Sequence, residues 1–82
     1  MAKNSHKVTL QISLGKKLKE LRNEKKLSLR QLAQRCDLDY SDISKYEKGE
    51  VNIQLSTVYE LARGLNVQPK DLFNFEFKFP EE

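Results

Sequence analysis

The stretch DYSDISKYEKG sets Tyr40, Ser41, Ser44 and Lys45 at successive spacings of one, three and one, with Ile43 and Tyr46 between and beyond them. On a helix this spacing gathers a phenol, two hydroxyls and an ammonium on one face and turns two anchoring side chains the other way. Such a face exchanges hydrogen bonds and carries positive charge, which suits the polar edges of a polyanion. Bond-breaking chemistry finds no partners here. The one histidine, His6, falls in a polar stretch and the one cysteine, Cys36, at a buried helix position, so no nucleophile–base pair is expected. A lone cysteine makes no internal disulfide, zinc cluster or redox CxxC. Asp37, Asp39 and Asp42 cluster, but as capping residues; a calcium loop would need a glycine and a distal glutamate at set spacing. The expectation is therefore no enzyme, no cofactor and no metal site.

The elements that must position this face can be read on both sides of it. Ser28 with Gln31 forms a capping box, and Leu27 with Leu32 a hydrophobic staple, for a helix over 29–36. Asp39 caps a helix over 40–48, stapled by Leu38 and Ile43 and stopped by Gly49, and Asp37 is expected to take the left-handed backbone of the turn between. Upstream, Leu14, Leu18 and Leu21 mark a helix over 12–25 with Lys25 and Lys26 in its last turn. Downstream, Ser56 caps a helix that turns Val58, Leu61, Ala62 and Leu65 inward and ends near Gly64. Pro69 then opens a short fifth helix with Leu72 and Phe73 inward.

The two ends break this rhythm. Residues 1–7 read as a polar arm, while Val8, Leu10 and Ile12, and again Phe73, Phe75, Phe77 and Phe79, alternate with period two before Pro80. Short terminal β-segments are predicted, paired within one chain or exchanged between two copies. The division is an arm or strand at 1–11, a helical domain at 12–74 and a Phe-rich tail at 75–82.

Eighty-two residues, 38 % hydrophobic and 33 % charged, bound this to one small domain. No segment predicts a membrane span or a signal peptide, and the reducing cytosol is the expected compartment. Residues 1–49 carry 12 Lys/Arg against 6 Asp/Glu, whereas residues 50–82 carry 3 against 6. A basic half and an acidic half fit a polyanion on one face.

Two short helices joined by a three-residue turn have the geometry of a helix-turn-helix, which holds its second helix proud of the surface. SxxQLA, DISKYEKG and LARGLNV in that order, within residues 14–73, resemble the Cro/cI-type (XRE) family of phage repressors and bacterial regulators. NIQLSTV followed by LARGLNVQPKDLF is similar to its restriction-modification controller subgroup. The resemblance implies an all-α, compact five-helix lambda-repressor-like domain. In it, Ala33 is the small contact between the two helices, and Leu29, Leu32, Ile43 and Tyr46 fill around it. Asp37 stands where the family usually has glycine.

The resemblance further implies a cytoplasmic transcriptional regulator that binds double-stranded DNA as a homodimer on a pseudo-palindromic operator, through the major groove. Tyr40, Ser41, Ser44 and Lys45 are then the base readers. Lys45 donates to guanine O6 and N7, the serines donate or accept, and Tyr40 offers a ring to a thymine methyl. Asp42 is expected to support the helix rather than to read cytosine. Ser28, Arg30, Lys48 and Asn52 would contact phosphate. Arg22 and Glu47 would pair, as a family arginine near the end of helix 1 bonds a glutamate at the end of the recognition helix. The dimer would use the fourth and fifth helices, with Phe73, Phe75, Phe77 and Phe79 and the segment from Val8 to Ile12 as candidates. The alternative is a protein-binding module, such as an antitoxin, holding a protein partner with the Phe-rich tail.

Overall fold

The computed structural model describes residues 2–77 and 79, with side chains from His6 onward. Its elements are α1 (Ala2–Glu24), α2 (Leu29–Arg35), α3 (Tyr40–Glu47), α4 (Leu55–Leu65) and a 3-10 turn, Pro69–Phe73. The all-α class agrees with the expectation, the fifth helix being this 3-10 turn. The ends differ from it. α1 starts at Ala2, so the polar arm and the predicted strand of Val8, Leu10 and Ile12 are helical, and no strand occurs among the described residues. The period-two pattern misleads there because a spacing of four serves both periods: Leu10, Leu14 and Leu18 continue one helical stripe. At the other end the tail leaves the 3-10 turn without strand pairing. Its alternation still gathers the rings: Phe75 stacks on Phe77 at 4.7 Å and 8°, and Phe77 meets Phe79 at 6.3 Å. These rings lie against α1 around His6, Leu10 and Ser13. Met1 of the predicted arm, and residues 78 and 80–82 of the predicted tail, Pro80 included, lie outside the described residues.

Local chemistry accounts for most element ends. Ser28 Oγ accepts from the Gln31 amide at 3.1 Å while Gln31 Oε1 accepts from the Ser28 amide at 2.8 Å, the expected reciprocal cap of α2. Between α2 and α3 the turn needs no left-handed residue. Cys36 is extended at φ −113°, its amide donating to the Leu32 and Ala33 carbonyls, and among the described residues only Lys26, Gly49 and Asn66 have positive φ. The left-handed Asp37 expected from sequence is therefore wrong, and the missing glycine is explained. α1 ends at Glu24, one residue early, with Lys26 turned to φ 58°. Asp39 sits at the N-cap of α3 without a side-chain bond, and Gln54 rather than Ser56 precedes α4.

Every element sends at least one side chain into a single core. Leu18 of α1, Leu32 of α2, Ile43 of α3, Leu61 and Leu65 of α4, and Leu72 of the 3-10 turn are the fully buried set. Each contributes on the order of 1.5–3 kcal/mol by leaving water. The tightest approach of backbones lies between α1 and α3. A Cβ on Gly15 would meet the Tyr46 carbonyl oxygen and stand 2.8 Å from that of Glu47, so α1 rests directly on the last turn of α3. Gly15→Ala is expected to destabilise the fold by at least ~1–3 kcal/mol, because backbone rather than a yielding side chain blocks the added methyl. Urea unfolding measures this, and an unchanged midpoint would contradict the close approach.

Candidate nucleic-acid interface

α3 is anchored at its C-terminal end. Arg22 Nε donates to Glu47 Oε2 at 2.6 Å, Nη2 donates to Oε1 at 3.1 Å, and Nη1 donates to the Leu27 carbonyl at 2.8 Å. One guanidinium thus ties α1, the linker before α2 and the end of α3 together. The two charged side chains are 11 % and 7 % exposed, so this is not a solvated surface pair. The hydrogen bond to Glu47 raises the Arg22 pKa above its ordinary value, against the opposing pull of desolvation. Beyond Glu47, Gly49 turns at φ 73° and its carbonyl accepts from Gln11 Nε2 at 3.1 Å. A Cβ there would stand 2.9 Å from the Ile12 Cα, so α1 also seats the turn that ends α3.

The other end and the outer face of α3 are open. Ile43 is fully buried and Tyr46 packs at the core edge, which leaves Tyr40, Ser41 and Lys45 exposed and Ser44 half-buried. These four predicted readers therefore share the outward side of one helix. Among the described residues no carboxylate pairs with Arg30, Lys45 or Lys48. Asp42, half-buried in the first turn, suits the positive end of the helix dipole.

The four predicted phosphate contacts are not gathered in one place. Ser28 and Arg30 stand at the start of α2, and Arg30 reaches across to Tyr40, with Nη2 donating to its Oη at 3.1 Å. Ser28 Oγ is already an acceptor in its cap, so what it can still offer is its hydroxyl proton. Lys48 follows the opposite end of α3, about 12 Å along at ~1.5 Å per residue. Asn52 lies in the loop beside Lys45, where Asp42, Tyr46, Gln54 and Thr57 complete a shallow hollow. Gln54 and Thr57 were missed by sequence reasoning, because their nearness to Lys45 depends on the return of the chain from α3 to α4. The signal available was only that NIQLST is polar and joins two helices.

Of the predicted dimer candidates, Phe73 and Phe75 pack partly against the core, whereas Phe77 and Phe79 are exposed. Leu55 and Tyr59 add exposed apolar surface on α4, at 82 % and 59 %. Cys36 is buried, its Sγ donating to the Glu60 carbonyl at 3.4 Å, and burial pushes its thiol pKa up, away from nucleophilic use. Among the described residues no cluster of His, Cys, Asp and Glu could hold a metal ion, and no helix is long and apolar enough to cross a membrane.

Comparison with known proteins bears on this geometry. The helix-turn-helix family model matches residues 18–72. The control protein C.BamHI of Bacillus amyloliquefaciens is 36 % identical over 67 residues, covering 80 % of this chain and 83 % of that protein. The immunity repressor protein of Bacillus phage phi105 is 31 % identical over 71 residues, 87 % of this chain but 49 % of the repressor, so the chain spans about half its length. Among solved structures, the restriction-modification controller protein C.AhdI from Aeromonas hydrophila superposes with a TM-score of 0.77 at 35 % identity, over 79 % of this chain and 98 % of that one.

Replacing Arg22 by Ala leaves the Glu47 carboxylate nearly buried and unpaired and the Leu27 carbonyl without its donor, and is expected to cost ~3–5 kcal/mol. Arg22→Lys keeps the charge but loses the two-pronged geometry and should fall between. Thermal or urea unfolding checks both; an Arg22→Ala protein as stable as the parent would show that the pair holds nothing.

Proposed function

The chain belongs to the XRE-type helix-turn-helix family, and on that premise we propose that it is a sequence-specific, double-stranded DNA-binding transcriptional regulator of the restriction-modification controller kind. It acts in the cytoplasm as a homodimer on a pseudo-palindromic operator. The observation that carries this reading is the asymmetry of α3: one end is fixed by Arg22, Gly15 and Gly49, while Tyr40, Ser41 and Lys45 are exposed on its outer side. A helix held in that way can be offered to the major groove, about 12 Å wide, without losing its orientation.

In the groove, Lys45 donates to guanine O6 and N7, and Ser41 and Ser44 donate or accept at neighbouring bases. Tyr40 enters first. Ser28, Lys48 and Asn52 contact phosphates around the reading helix and set its register. Similarity to C.BamHI and C.AhdI supports the controller assignment over the wider family. The homodimer is supported by the exposed apolar surface of Leu55 and Tyr59 on α4 and of Phe77 and Phe79 in the tail. One small domain reads about one half-site, so two copies related by a twofold axis match two half-sites one helical turn apart.

Selection from a random duplex library at ~150 mM salt, where non-specific phosphate attraction is weakened, tests the reading. Enrichment of an inverted repeat with half-site centres ~10 base pairs apart is expected. Enrichment of a single unrepeated site would contradict the dimer. No enrichment by a folded protein would overturn DNA reading and favour the partner-binding module.

A further inference from the structure

α2 and α3 meet at their N-terminal ends, well outside the core. Arg30 is the second residue of α2 and Tyr40 the first of α3. The guanidinium carbon of Arg30 lies 4.2 Å from the centroid of the Tyr40 ring, and Nη2 donates to Tyr40 Oη at 3.1 Å. Both residues are exposed, and among the described residues no carboxylate neutralises the arginine.

The sequence placed Arg30 among phosphate contacts. An arginine that only neutralises phosphate gains little from being fixed, since a cation on a flexible stem finds a nearby oxygen from many directions. Here an aromatic face sets the plane of the guanidinium, and the bond to Oη sets its rotation. One N–H is used; the other donors of the fork remain free. Their position beside the first residue of the reading helix is where a helix-turn-helix meets base edges. A planar, pre-oriented fork with an uncompensated charge matches one acceptor pair in the major groove above others, the O6 and N7 of guanine.

We infer that Arg30 reads a guanine base edge in each half-site, with Tyr40 as the positioning residue beneath its guanidinium. The inference rests on the duplex-DNA reading proposed above and moves one specificity determinant from the recognition helix onto α2. It also limits what Tyr40 does. Its oxygen accepts from Arg30, leaving the hydroxyl proton for an acceptor close by.

The test measures binding to the selected duplex and to every single-base-pair variant of it, at several salt concentrations. Parent, Arg30→Ala, Arg30→Lys, Tyr40→Phe and Tyr40→Leu are compared, each shown to be folded by its melting temperature. Arg30→Ala should lose discrimination at one G·C pair per half-site by about 5–150-fold and leave preferences elsewhere intact. Arg30→Lys keeps the charge and loses the fork, so the same preference should fall while the salt slope holds. Tyr40→Leu should relax that same pair although Arg30 is present, and Tyr40→Phe, which keeps the ring, should relax it less. Uniform weakening of all sequences by Arg30→Ala, with the salt slope reduced by about 1, would make Arg30 a phosphate contact and overturn the inference. Loss of preference at a different pair in Tyr40→Leu would overturn the positioning role. A parent without preference at any position would instead remove the DNA reading itself, and the inference with it.

Discussion

The contact between α1 and the last turn of α3 is the constraint around which the molecule is arranged. Three features of α1 meet there: Gly15 lets backbone touch backbone, Gln11 holds the Gly49 carbonyl, and Arg22 closes a two-pronged bond on Glu47. The buried leucines and Ile43 of the shared core supply the greater part of the stability, since burial of apolar surface is the dominant favourable term. A nearly buried ion pair contributes differently. Its desolvation offsets much of its attraction, so its value lies in the orientation it favours: in this placement of α3, one guanidinium satisfies Glu47 and the Leu27 carbonyl together.

Fixing one end of a short helix determines what the other can do. With Ile43 buried, Tyr46 at the core edge and Glu47 held by Arg22, only the outer face of α3 with Tyr40, Ser41 and Lys45 is left to solvent, and Lys45 there and Lys48 beyond it have no acidic partners among the described residues. Free cations on a rigid, protruding helix keep their full attraction for a polyanion, and pre-organisation lowers the ordering cost of binding. The acidic carboxyl-terminal part of the sequence lies away from this end in the chain. Surface charge is thus divided along the chain in the way a one-sided polyanion partner needs.

Reading the sequence went furthest where chemistry is local. The Ser28–Gln31 cap, the positive φ of Gly49 and the Pro69 start of the last turn are each set by a few neighbouring residues. The inward residues of α4 followed from their helical spacing, and all-α architecture followed with them. The long first helix was not legible, because Val8, Leu10 and Ile12 alternate as a strand does, while the spacings of four that a helix also allows, Val8 to Ile12 and Leu10 to Leu14, are hidden within that alternation. Asp37 was misread because the usual glycine of the turn invited a left-handed residue, whereas Cys36 closes the turn in extended backbone. The hollow of Gln54 and Thr57 beside Lys45, and Arg30 lying on Tyr40, depend on contacts between elements that spacing alone does not encode.

Native-state hydrogen exchange along α3 of the free protein tests the anchoring most directly. If α1 holds the recognition helix as described, the Tyr46 and Glu47 amides open only with the whole domain, at the same free energy as Leu18 in the core. Exchange of those amides through a local opening well below the global value, with Leu18 still protected, would contradict it. The last turn of α3 would then be loose, and the helix would be shaped by its partner rather than presented by the fold.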